Sequence, residues 1–193
     1  MASQSPRMSV VLPVRDGEQT ITRRVEHVLD ALADMSRDIS EVIVVDDGSK
    51  DATPEVLDEL RATYPQIRVA RHSRPRGMEA AGQTGLERAT GNLVFIQENE
   101  AELRIEDLQR LLKMSEDDSV VAARAESTPK PLSPALLRRL RAWGSKQTVE
   151  PVPNAEKKSS LQMIRRPHLQ RLTSPQGGNY RLEGETLHST SVE

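Results

Sequence analysis

The 193-residue chain contains no cysteine, which removes disulfides and thiolate metal sites and fits a cytosolic setting. Aromatic residues are 2% of it, namely one Trp, two Tyr and one Phe, so a core has to be built from Val, Ile, Leu and Ala. No apolar run approaches the roughly 18 residues of a membrane span. The opening MASQSPR has no apolar stretch of signal-peptide type. A cytoplasmic location is expected, with any membrane contact peripheral. A formal net charge of −2 offers no field for nucleic acid, which is not expected as a partner. The phosphate-loop, dinucleotide-fingerprint and zinc-protease patterns are absent, and the four histidines are scattered.

What is present is a strong alternation of short β-branched runs and helical patterns. Strands are expected at 8–14, 41–47, 67–72, 92–97 and 119–124. Helices are expected at 18–34, 52–63, 78–89 and 105–114, the first with Ile21, Val25, Val28, Leu29 and Leu32 on one face. EVIVVDD at 41–47 is a nearly continuous apolar run, as a central parallel strand covered on both faces requires. Alternation of this kind predicts an α/β fold with parallel pairing, the first strand central and the spatial order 3-2-1-4. After Arg124 the pattern weakens. Three prolines in 127–134 mark a connector, 134–146 can form a helix carrying Trp143, LQMI at 161–164 is a short strand, and 167–172 is a helical turn. The Ser-, Thr-, Gly- and Gln-rich stretch 174–193 reads as a flexible tail. Charge divides the same way. Residues 1–124 hold 16 basic and 23 acidic side chains, and residues 125–193 hold 11 and 6.

Three segments could carry chemistry. In VIVVDDGSKDAT (42–53) a strand ends on Asp46 and Asp47, then turns through Gly48 and Ser49 into a helix. Ligands of open α/β sheets bind beyond the carboxyl ends of strands, where such carboxylates can accept from a base N–H or a ribose hydroxyl. Equally, Asp47 and Asp51 can satisfy turn and helix-start amides, and spacing alone does not choose. In RGMEAAGQTGLERATGNLVFI (76–96) small residues at a helix entry allow close backbone approach to a ligand or, more commonly, to a sheet. Beyond the fourth strand stand Glu98, Glu100 and Glu102 at every second position. They suit a hard divalent cation held through oxygen, although spacing alone leans toward a solvated acidic loop.

Together these segments resemble the family 2 glycosyltransferases, and within them the polyprenol-phosphate (dolichol-phosphate) mannosyltransferase branch. SVVLPVRDGEQTI is similar to the family's opening strand and helix, VIVVDDGSKDAT to its nucleotide-binding turn, and the 76–96 segment to the approach to its metal strand. DSVVAARAE, LLRRLRAWGSK and SSLQMIRRPHLQRL are similar to later elements. The resemblance covers residues 7–173, with a nucleotide-sugar half at 8–124 and a shortened acceptor half at 125–173.

The resemblance implies a GT-A fold, a Rossmann-like, mostly parallel sheet flanked by helices, and a nucleotide-diphosphate sugar as donor. Pro13, Asp46, Asp47 and Arg76 would bind the nucleotide, and Arg124 would face the diphosphate. Glu98 and Glu100, with Glu102, would stand at the Mg²⁺ or Mn²⁺ site, with Mn²⁺ favoured because the larger ion tolerates looser geometry. The acceptor would be a polyprenyl phosphate or another group, with 134–146 as a peripheral membrane contact. No catalytic side chain is assigned. The chain departs from the family pattern by carrying Glu for both metal-site Asp residues and Arg15-Asp16 for the usual Tyr-Asn. Two expectations follow: a metal-assisted glycosyltransferase, or a degenerate member that binds a nucleotide or a protein without catalysis.

Overall fold

The structure, a computed structural model, describes residues 7–35, 41–127, 159–166 and 186–188. Strands β1 (Met8–Val14), β2 (Glu41–Asp46), β3 (Ile67–Arg71) and β4 (Leu93–Gln97) alternate with helices α1 (Ile21–Met35), α2 (Thr53–Thr63), α3 (Met78–Arg88) and α4 (Ile105–Met114). Strands β5 (Ala122–Ser127), β6 (Ser159–Arg165) and β7 (Thr186–His188) follow. The sheet order is β3-β2-β1-β4-β6-β5-β7. Strand β1 pairs in parallel with β2 and β4, and β2 in parallel with β3. The expected order 3-2-1-4 is therefore present.

Both faces of this parallel half are covered, which explains its unbroken apolar runs. Every residue of β1 is buried. Val10, Leu12 and Val14 pack in one layer with Val42, Val44, Phe95 and the inner faces of α1, α2 and α4. Val11, Ile43, Val45, Val94 and Ile96 point the other way, against Ala81 and Leu86 of α3. The period of two sends successive residues to opposite sides, so each strand feeds both layers. Each large aliphatic side chain buried in this way contributes about 1.5–3 kcal/mol. Phe95, the sole phenylalanine, is fully buried. The small residues of α3 serve packing. A Cβ on Gly85 would lie 2.1 Å from Cγ1 of Val11, and one on Gly82 would lie 3.1 Å from Ile96.

The structure differs from the sequence expectation in three places. Helix α1 begins at Ile21, because the amides of Gly17 and Glu18 are engaged by Thr53 and Asp51 rather than by a first helical turn. Strand β5 begins at Ala122, because Ser119 donates through its amide and hydroxyl to Asp117 and closes a turn there. The stretch 174–193, read as a flexible tail, includes β7, which pairs in parallel with β5 from Thr186 to His188. Backbone pairing along an open strand edge needs no hydrophobic pattern, which is why composition did not reveal it. The strand expected at 161–164 is present as β6, lying antiparallel between β4 and β5. The helix expected at 134–146 and the turn at 167–172 fall outside the described residues.

Candidate active site

The loops that follow β1, β2, β3 and β4 emerge at one edge of the parallel half, the carboxyl end. Two of them are stitched together by reciprocal side-chain to backbone bonds. The Asp16 amide donates to Ser49 Oγ at 2.9 Å and the Lys50 amide to Asp16 Oδ1 at 2.7 Å. The Gly17 amide donates to Thr53 Oγ1 at 2.9 Å and the Glu18 amide to Asp51 Oδ2 at 3.1 Å. The Ala52 amide donates to Glu18 Oε2 at 2.8 Å. Asp16 takes a positive φ of 50° to fit, and Gly48 one of 70°. A Cβ on Gly48 would collide with the backbone of Arg74 and Pro75, so the third loop also packs tightly on the second.

Asp47 joins that third loop to β2. It is 1% exposed and accepts from the amides of Arg76 and Gly77, each at 2.8 Å. His72 Nδ1 lies 2.7 Å from Asp47 Oδ1, and its Nε2 lies 2.9 Å from Thr84 Oγ1. Burial pushes the Asp47 carboxyl up, but the bonds from His72, Arg76 and Gly77 outweigh it and hold it below the usual aspartate range. Asp46 is 2% exposed. It accepts from the Ser49 amide at 2.9 Å, with Arg71 Nε 3.8 Å away. Both carboxylates thus stand at the expected edge, and both are engaged in holding the loops.

Of the other expected nucleotide residues, Pro13 is buried within β1, and its carbonyl accepts from Arg24 Nη2 at 3.3 Å. Arg76 meets Asp47 through its backbone, and its exposed side chain lines a concavity of about 570 Å³ with Arg71, His72, Arg74, Thr84 and Arg88. Pro13, Asp46 and Asp47 do not line it.

The acidic strand end after β4 is occupied by arginines. Arg124 Nη2 and Nε both lie 2.6 Å from Glu98 Oε2, and the Ser160 hydroxyl donates to the same oxygen. Arg23 Nη2 lies 3.7 Å from Glu102 on the surface. Glu100 acts electrostatically on Arg24. Among the described residues no group of three or more His, Cys, Asp or Glu converges as a metal site. Divalent-cation sites are built from oxygens converging at about 2.0–2.6 Å, and Glu98, whose Oε2 takes three donors, does not fit one as it stands. Arg124 faces Glu98 and, at 3.4 Å, Glu126.

Two participants escaped the sequence reading. His72 directly follows β3, and the register that sets Asp46 beside Arg71 brings the next residues, Asp47 and His72, together. Arg24 sits on the inward stripe of α1 with Ile21, Val25 and Val28, so a charge at an apolar position of the helical period was the available signal.

In an open α/β sheet of this kind, ligands bind beyond the carboxyl ends of the strands, where these loops are fastened. The family model for glycosyl transferase family 2 matches residues 9–172, and the chain belongs to that family. It is similar to a dolichyl-phosphate β-glucosyltransferase (ALG5A) of Trichomonas vaginalis, 28% identical over 131 residues, or 62% of this chain and 41% of that protein. It is also similar to the dolichol-phosphate mannosyltransferase of Pyrococcus furiosus, 25% identical over 116 residues, or 60% of this chain and 32% of that one. Among solved structures, the mannosyltransferase PcManGT of Pyrobaculum calidifontis, in complex with GDP-Man and Mn²⁺, is similar with a TM-score of 0.53 and 27% identity. That match covers 88% of this chain and 47% of PcManGT. The fold is of the GT-A type, as expected. The chain spans less than half the length of each of these proteins. Among the described residues no helix is long and apolar enough to cross a membrane.

Proposed function

We propose that the chain is a glycosyltransferase that takes a sugar from a nucleotide-diphosphate donor and passes it to a polyprenyl phosphate or a related acceptor. The observation that carries this reading is the family match across residues 9–172, falling on a chain whose four βα loops meet at one sheet edge. Asp47, with Asp46, Pro13 and Arg76, is the proposed nucleotide side, where the fastened loops supply a rigid wall. Arg124 is the proposed diphosphate contact, and it would have to turn from Glu98 toward the ligand. A polyprenyl acceptor is supported by the dolichyl-phosphate activities of the relatives. Residues 134–146 are the segment proposed to reach a bilayer surface, from a cytoplasmic location.

The expectation of a divalent cation is supported by the ion bound with GDP-Man in PcManGT, and the preference for Mn²⁺ over Mg²⁺ rests on geometry alone. The arginine partners of Glu98 and Glu102 oppose a cation on this chain. The same pairing favours a second reading, a family member that binds a nucleotide without transferring sugar.

Calorimetric titration with UDP and GDP, then with their sugar conjugates, tests the binding step. Saturable binding of one nucleotide is expected, and no heat from either at millimolar concentration would overturn both readings. Mass-spectrometric detection of a glycosylated polyprenyl phosphate separates them, since binding without product would leave the non-catalytic one standing.

A further inference from the structure

Arg24 is 4% exposed. Its Nη2 donates to Gln97 Oε1 at 3.0 Å and to the Pro13 carbonyl, while Nε and Nη1 have no hydrogen-bond partner among the described residues. A buried guanidinium with two of its three nitrogens unpartnered is costly, and packing of α1 does not require it, since apolar residues fill the rest of the stripe. Its position does make electrostatic sense. It lies between the ends of β1 and β4, within the field of Glu100, just where the acidic run leaves the sheet. The other two carboxylates of that run are met by Arg124 and Arg23. Two of the three glutamates therefore pair with arginines and the third lies in the field of a buried one, with Arg124 shared with Glu126 at 3.4 Å, so the negative charge that would attract a dication is reduced.

We propose that Arg24, with Arg23 and Arg124, stands where a divalent cation would, so that the strand end at Glu98, Glu100 and Glu102 takes no such ion and a nucleotide diphosphate binds this chain without one. The second half of this proposal rests on the nucleotide-binding reading above; the first does not. Of the three, Arg23 and Arg124 are half-exposed, at 49% and 40%, and Arg124 is the one held beside Glu98 at the sheet, whereas Arg24 is buried.

The test begins with Mn²⁺ alone, titrated into the full chain and followed by the paramagnetic resonance of the free ion. No saturable site tighter than about 1 mM is expected, the weak end of protein cation sites. The double variant Arg24→Met, Arg124→Gln should then acquire Mn²⁺ affinity at least about tenfold greater, and adding Glu98→Gln should remove it. The single variant Arg124→Gln, at a half-exposed position, should gain part of that affinity and serves if the double variant does not fold. One tight Mn²⁺ site in the parent that Glu98→Gln abolishes would overturn the proposal, as would folded arginine variants that bind no more Mn²⁺ than the parent. UDP and GDP are titrated in parallel with chelator and with Mn²⁺. Equal affinities are expected, and a tenfold dependence on Mn²⁺ would overturn the second half. Failure of both nucleotides under both conditions would overturn the second half together with the nucleotide reading it rests on, leaving the first half to be decided by the Mn²⁺ titrations.

Discussion

Replacing Asp47 tests whether one carboxylate holds the loops at the carboxyl edge of the sheet together. In the parent it takes two backbone amides and an imidazole nitrogen at 2.7–2.8 Å while almost wholly buried. Hydrogen bonds to a charged group contribute about 1.5–3 kcal/mol each, so three set a ceiling. The 73–77 loop is exposed, however, and its freed amides can return to water, which brings the expected loss for Asp47→Ala to about 3–5 kcal/mol. Asp47→Asn keeps the shape but turns an amide donor toward one of the backbone N–H groups, and should lose about half as much. Urea unfolding at neutral pH measures both. The sign of the pH dependence is fixed by the lowered carboxyl pKa. A carboxylate depressed in the folded state stabilises fully above its unfolded value, about 3.9, and that contribution disappears as pH falls through the lower folded value. The parent should therefore lose stability below about pH 4 more steeply than Asp47→Asn. A loss under about 1 kcal/mol in Asp47→Ala, or parallel acid profiles of parent and Asn variant, would refute the anchoring role.

Other perturbations follow from the same geometry. Glu41, at the opposite end of β2, accepts from Ser9 Oγ at 2.7 Å, from the Thr90 amide at 2.6 Å and hydroxyl at 2.9 Å, and from Arg68 at 3.1 Å. Burial opposes its ionisation, yet these bonds lower its pKa to about 2. Glu41→Gln should cost about 2–3 kcal/mol at neutral pH, with the difference from the parent vanishing as pH falls from about 4.5 toward 2, as acid unfolding would show. Gly85→Ala places a Cβ 2.1 Å from Val11, so overpacking should outweigh the gain in helix propensity and lower stability by about 1–2 kcal/mol in thermal melts; an unchanged midpoint would mean that α3 slides freely on β1. Burial lowers the Arg24 guanidinium to about 10, against the opposing field of Glu100, so its charge is costly where it stands. Arg24→Met should raise the unfolding free energy by about 1–3 kcal/mol after the loss of its two bonds, and a destabilised variant would show that those bonds outweigh the burial cost.

Much of the parallel half was legible because periodicity reports which face a residue takes. The runs at 8–14 and 41–47 announced central strands, and Asp46 and Asp47 fall at the carboxyl end of β2. What periodicity cannot report is the partner across a long loop. Glu98 is bonded to Ser160, 62 positions away, and Arg24 to Gln97, 73 positions away. Spacing alone leans toward a solvated loop for the acidic run, and the family resemblance implies a cation site there, with convergence expected if the strand continues through Glu100. Glu98, Asn99 and Glu100 lie beyond the end of β4, however, so that alternation stops and the carboxylates part. Of Asp47 and Asp51, whose turn-satisfying role spacing leaves open, Asp51 takes the Thr53 amide at the start of α2 and Asp47 takes the Arg76 and Gly77 amides of the next loop, while the Ser49 amide goes to Asp46. The same carboxylates can still form one wall of a nucleotide site.

The glutamate at position 98 gives a physical reason for that parting. Strand β6 lies between β4 and β5, so a side chain leaving the end of β4 must extend past Ser160 to reach Arg124. Glutamate has one methylene more than aspartate, worth over ~1 Å of reach. That length brings Oε2 to 2.6 Å from two nitrogens of Arg124. An aspartate there would fall short of a close pair with the guanidinium and leave its carboxylate nearer the strand end. The added methylene and the arginines form one consistent set. The longer arm reaches sideways to a cation on β5, Glu102 turns back to Arg23 on α1, and buried Arg24 lies in the field of Glu100. Under the proposal above, placing Asp at 98 and 100 would not by itself create a cation site, because Arg24, Arg23 and Arg124 would remain; charges on both sides of the strand end would have to change.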